Sequence, residues 1–184
     1  MSILPIVTYG HPVLRQKAEP VTQDDDIRGL VEDMYETMRN AQGIGLAANQ
    51  VGVPKRIIVI DLSDFEAYKD MQPVILINPE IVDQTGEWEM EEGCLSIPVV
   101  RDTVSRSEYV HVRYKDIDFE NREIKTDGIL GRVILHEIDH LNGVLFLDHL
   151  SPGRRKIHKG VLLDIKRGEL DIPYPVISSA EEVS

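Results

Sequence analysis

The chain has 184 residues, 42% hydrophobic and 28% charged, with a formal net charge of −12 and a single cysteine, Cys94. That length suits one compact domain with its own core, the acidic balance argues against a generic DNA or RNA binder, and a lone cysteine excludes an internal disulfide and points to the cytoplasm. No apolar run approaches a membrane span, and residues 1–20 lack a charged start followed by an apolar block, so neither a membrane anchor nor a secretory signal is expected.

Pro5, Gly10-His11-Pro12 and Pro20 make residues 3–21 extended and turn-rich. From Asp24 to Ala41, the residues Ile27, Leu30, Val31, Met34, Tyr35 and Met38 recur at spacings of three and four. This predicts an amphipathic helix, with Thr22 as N-cap and Asp24, Asp25 and Asp26 near its positive end. The helix stops at Gly43-Ile44-Gly45-Leu46-Ala47-Ala48-Asn49-Gln50, where small residues let another backbone come close. The Gly-x-Gly here does not meet the full dinucleotide fingerprint, which disfavours a phosphate cradle. Short strands are predicted at 56–61, 74–78 and 81–83, bounded by Pro54, Pro73 and Pro79, and 88–92 alternates weakly. Further strands are predicted at 104–107, 109–114 and 123–126. In 109–114, Val110, Val112 and Tyr114 share one face and His111 and Arg113 the other, which makes His111 an exposed strand residue rather than a ligand.

A buried helix is predicted from Gly128 to Leu141, with Ile129, Leu130, Val133, Ile134, Ile138 and Leu141 as its apolar surface and Asn142-Gly143 as its stop. Ser151-Pro152-Gly153 opens a third helix to about 167, in which Arg154, Arg155, Lys156, Lys159, Lys166 and Arg167 stand against only Asp164. Pro173, Pro175 and an acidic end predict a mobile tail over 171–184. The implied fold class is α+β: small antiparallel or mixed sheets around a central metal-binding helix, flanked by one helix in the N-terminal half and one at the C-terminus. Residues 1–170 form a single catalytic domain in this reading.

The chemistry centres on His136-Glu137-Ile138-Asp139-His140. A helix turns about 100° per residue, so histidines four apart share a face and reach one metal ion. The glutamate between them lies close enough to take a proton from water beside the metal. A catalytic centre of this kind keeps three protein ligands. The third is open among Cys94, His11, His149, His158 and many carboxylates, while Asp139 points away and is assigned no catalytic role.

Three stretches taken together resemble the bacterial peptide deformylases: Gly-Ile-Gly-Leu-Ala-Ala-Asn-Gln at 43–50, Glu-Gly-Cys-Leu-Ser at 92–96 and His-Glu-Ile-Asp-His at 136–140. The resemblance covers about residues 3–150. It implies a metal held by Cys94, His136 and His140 with water as the fourth ligand, Glu137 as general base and then acid, and Gln50 with the backbone N–H of Leu95 as donors to the oxyanion. It further implies a substrate, the formylmethionine end of a nascent peptide, bound as an extended strand by Ile44, Gly45 and Gly93. Ile44, Met90, Ile129, Val133 and the His136 ring would line its methionine pocket, with Arg101 near the substrate. Arg132, one turn before His136, borders that pocket and is expected to influence preference for the residues after methionine. Leu135 stands where the family often has glutamine. The resemblance favours iron (Fe2+) in the cell, with Zn2+, Ni2+ or Co2+ also suiting the donors, and suggests that the basic C-terminal helix docks on the ribosome. A zinc-type metallopeptidase and an inactive metal-binding relative are the competing readings.

Overall fold

Ile57–Ile60 is apolar at every position, the pattern of a strand covered on both faces. In the computed structural model of the chain, which describes residues 1–179, this strand has a helix against each face. In chain order the elements are β1 (Ile6–Val7), α1 (Arg28–Asn40), β2 (Gly45–Ala47), β3 (Ile57–Ile60), β4 (Val74–Thr85), β5 (Trp88–Cys94) and β6 (Ile97–Arg106). They continue with β7 (Tyr109–Lys115), β8 (Asn121–Thr126), α2 (Gly128–Leu141), α3 (Pro152–Ile157), α4 (Lys159–Arg167) and β9 (Val176–Ile177). The main sheet is antiparallel with strand order β2-β3-β4-β7-β8, while β5 and β6 form a separate antiparallel pair and β1 runs parallel to β9. The fold is α+β.

Period-two alternation divides the β3 side chains between two cores. Ile58 and Ile60 join Leu76, Val110 and Val112 against Ile134, Leu135, Ile138 and Leu141 of α2. Ile57 and Val59 join Leu46 and Ile77 against Val31, Met34 and Met38 of α1. A third cluster packs Val7, Ile97, Val100, Val104 and Phe146 with Leu162 and Ile165 of α4. Each buried side chain of this size contributes roughly 1.5–3 kcal/mol, so α2 is held firmly along its length.

Several expected boundaries change. The α1 helix begins at Arg28 with Ile27 at its cap and no side-chain cap bond, so Thr22 is not the N-cap. The Asp25 carboxylate instead accepts from the Thr22 N–H at 2.8 Å, closing a turn ahead of the helix. The two strands expected at 74–78 and 81–83 are one, β4. Pro79 sits where the register shifts between Ile77 and Glu80, beside Asn78 at φ 50, and the Asn78 amide is held by both backbone groups of Val21. The basic helix is broken at His158, which ends α3 and precedes α4. Residues 171–179, expected in a mobile tail, carry β9: the Ile6 N–H donates to the Pro175 carbonyl and the Thr8 N–H to that of Ile177, both at 2.9 Å. The rest of that stretch, 180–184, lies outside the described residues.

Candidate active site

Two elements meet at the site. Helical spacing on α2 puts His136, Glu137 and His140 on its buried side, and Cys94 ends β5 where the register of the β5–β6 pair shifts. Cys94 Sγ lies 3.2 Å from His140 Nε2, and ligand atoms of Cys94, His136 and His140 all lie within 4.8 Å of one another. The other histidines are engaged elsewhere. His11 Nδ1 accepts from the Val13 N–H, His149 bonds Asp139 at 2.8 Å and His158 bonds Asp102 at 2.7 Å. His111 faces Glu123 across the β7–β8 pair at 2.9 Å.

His136 is oriented by a buried carboxylate. Its Nδ1 donates to Glu92 Oε1 at 2.8 Å, which leaves Nε2 for the cluster. Glu92 also accepts from Arg106 at 2.7 and 3.0 Å and from Arg132 at 2.8 Å. Burial alone would raise the Glu92 pKa, but hydrogen bonds from His136 and Arg106 overcome it and hold the carboxyl well below its ordinary range. Burial opposes charge on His136 as well, yet its bonds to Cys94 and Glu92 raise its pKa to about 10, and a bound cation would displace that proton. His140 is pushed well down, first by burial and then by the charge on His136, which leaves a neutral imidazole suited to ligation. Burial raises Glu137 to about 7, where one carboxyl can both take and return a proton near neutral pH.

These residues fit a divalent metal. A thiol and two imidazoles converge, one imidazole is aimed by a carboxylate, and Glu137 Oε2 is buried beside them without a protein partner among the described residues. The small-residue stretch 43–50 supplies the other half of the site as β2 and a 3-10 turn at Ala48–Val51. A Cβ at Gly45 would come within 2.8 Å of Val133 and 2.9 Å of Glu137 Oε1, so glycine is what lets β2 lie against the Val133–Glu137 face of α2. Gln50 is fixed in one sense. Its Oε1 accepts from the Ala47 N–H at 3.0 Å, so its Nε2 faces Ser96 Oγ at 3.1 Å and Cys94 Sγ at 3.5 Å.

A cavity of about 680 Å³ opens over this cluster. Ile44, Gly45, Met90, Gly93, Arg101, Ile129, Arg132 and Val133, the residues read from the sequence as substrate contacts, all line it together with Gln50, Cys94, Leu95, His136 and Glu137. His140 lies buried beneath. Arg101 is exposed and paired with Glu91 at 2.7 Å. The pattern of the family described as polypeptide deformylase matches residues 3–156.

The chain belongs to that family. A peptide deformylase of Salinibacter ruber is 45% identical over 98% of this chain and 97% of its own, and one of Chlorobium phaeobacteroides is 48% identical over 98% of each. Among solved structures, the peptide deformylase of Legionella pneumophila superposes with a TM-score of 0.83 at 41% identity, over 91% of this chain and 98% of that one. The Ehrlichia chaffeensis peptide deformylase in complex with actinonin gives 0.82 at 42% identity, over 93% and 100%. The chain is accordingly an enzyme of the peptide deformylase family.

Around the three motifs, the structure adds residues that sequence reasoning did not single out. Glu92 opens the 92–96 motif, where an acid beside the Gly-Cys pair is the available signal for its role. Arg106 had none: it bridges Glu92 to Asp139, which it meets at 2.7 Å. Arg132 is only 2% exposed, and its guanidinium turns inward to the Val104 carbonyl at 2.9 Å, the Trp88 carbonyl at 2.7 Å and the face of the Trp88 ring. Leu135 packs in the α2 core. Residues 170–174 complete the cleft.

Proposed function

We propose that the chain removes the formyl group from the N-terminal formylmethionine of newly made polypeptides, releasing formate. The observation that carries this reading is the buried, unpartnered Glu137 oxygen beside three converging candidate ligands and the oriented Gln50 amide, in a cleft of about 680 Å³. A divalent ion held by Cys94, His136 and His140, iron (Fe2+) in the cell by our assignment, would supply Lewis acidity toward water and the formyl carbonyl; Zn2+, Ni2+ and Co2+ suit the same donors. Glu137 takes the proton of the attacking water as its oxygen bonds the formyl carbon. It returns that proton to the amide nitrogen as the C–N bond breaks, giving formate and a free amine. The Gln50 Nε2 and the Leu95 N–H donate to the carbonyl oxygen as it gains charge. Backbone groups of Ile44, Gly45 and Gly93 pair with the peptide as an added strand, and the methionine side chain enters among Ile44, Met90, Ile129, Val133 and the His136 ring.

The setting is cytoplasmic in this reading. The exposed Arg155, Lys156 and Lys159 on α3 and α4 offer a basic face to the ribosome, while Arg154 is tied to Asp102. No helix among the described residues is long and apolar enough to cross a membrane. Formate release from formyl-Met-Ala-Ser by protein purified without oxygen tests the function. Glu137→Ala should lower kcat by about 10²–10⁴-fold, the usual contribution of a general base. Internal cleavage of the peptide without formate would favour a metallopeptidase, and inactivity with each of the four metals would favour an inactive relative.

A further inference from the structure

One wall of the cleft comes from none of the three motifs and not from α2. Leu170, Asp171, Ile172, Pro173 and Tyr174 line the same cavity as Leu95 and Glu137. This strap is held at three points. Leu170 packs on the cluster that contains Leu162 and Ile165 of α4. Directly after the strap, the Pro175 carbonyl accepts from the Ile6 N–H at 2.9 Å, which starts the β1–β9 pairing. In between, the Tyr174 hydroxyl donates to the Leu95 carbonyl at 2.7 Å, tying the strap to the residue whose N–H faces the reacting carbonyl in our reading. A segment fixed in this way presents constant side chains: Asp171 and Pro173 are exposed and Ile172 is half-buried.

The cavity, about 680 Å³, is of a size that encloses a whole drug-sized ligand, so it has room beyond a single methionine side chain. A peptide laid as a strand sends successive side chains to opposite sides, so a residue after the methionine must meet a wall. The other acids lining the cleft are placed differently. Glu91 is paired with Arg101, Glu92 is buried between Arg106 and Arg132, and Glu137 is buried at the centre. Asp171 therefore supplies the exposed acidic charge of the strap.

Resting on the deformylase reading, we propose that Leu170–Tyr174 is a specificity wall that reads the peptide downstream of the formylated methionine, selecting a basic over an acidic side chain through Asp171. Tyr174 is a positioning residue that keeps this wall against Leu95.

The test compares formate release from formyl-Met peptides carrying Lys or Glu at the second, third or fourth position. The intact enzyme should favour Lys by about three- to ten-fold at one of these positions, through KM rather than kcat, and less so at high salt. Asp171→Lys, at an exposed site that does not endanger folding, should reverse the preference, and Tyr174→Phe should shrink it toward one. A Lys-to-Glu ratio unmoved by Asp171→Lys, in an enzyme that releases formate, overturns the wall and leaves the deformylase reading intact. If the unaltered enzyme releases no formate from any of the peptides, the deformylase reading fails and the wall falls with it.

Discussion

Three donors converge on the Glu92 carboxylate: His136, Arg106 and Arg132. A buried carboxylate is tolerable only when paired and hydrogen-bonded, and here the pairing also orients the His136 imidazole. Arg132 serves this network and two backbone carbonyls, so its loss strands acceptors in the interior. Arg132→Leu should lower the free energy of unfolding by about 3 kcal/mol in urea denaturation and leave the rank order of formyl-Met-X peptides unchanged. Unaltered stability with a shifted rank order would restore the sequence-based expectation that Arg132 acts on the substrate. Helical spacing placed this side chain near His136 but carries no information about the β5 and β6 carbonyls that receive its guanidinium.

Ile157, Val161, Leu162 and Ile165 recur at helical spacing across position 158, which is why a continuous helix to about 167 was expected. Of these, Leu162 and Ile165 are buried while Ile157 and Val161 are exposed, and helical spacing does not record whether the axis bends. At the bend, Asp102 of β6 is buried and accepts from His158 at 2.7 Å and from Arg154 at 3.0 Å, clipping α3 to the β5–β6 pair. The His158 hydrogen bond is the main cause of the lowered Asp102 pKa. A carboxyl depressed in the folded state stabilises above its unfolded pKa, near 4, and loses that contribution as pH falls through its folded value. Asp102→Asn should therefore reduce the melting temperature at pH 6, with a difference from the parent that narrows as pH falls below about 4. A gap that stays constant from pH 6 to pH 3 would rule the clip out as an acid-sensitive element.

At the scale of the molecule, the three candidate ligands come from two units. Cys94 packs with the cluster formed by β1, β6 and α4, while α2 belongs to the core on the main sheet. An ion bound by all three would tie these units together and stabilise the fold by linkage, about 2.7 kcal/mol at a free concentration 100 times its Kd. Chelation should lower the melting temperature and added Co2+ or Ni2+ should restore it, whereas Cys94→Ala should melt at one temperature with or without chelator. Chelator-insensitive melting of the unaltered chain would argue against a bound ion.

The elements whose signals are local were legible in the sequence: α1 and α2 by helical periodicity, β3 and β7 by apolar runs and alternation, and two candidate ligands by their spacing on one helix. The convergence of Cys94 on these histidines became legible only through the joint motifs that mark the family, because nothing local relates Cys94 to His140 across the chain. Tertiary structure alone decided that Glu92, Arg106 and Arg132 form one buried network, that Pro79 sits inside a strand, and that residues 170–174 wall the cleft. Each depends on partners far apart in sequence, and long-range pairing leaves no periodic trace in composition. Periodicity shows which face is buried. What lies against that face is settled by packing.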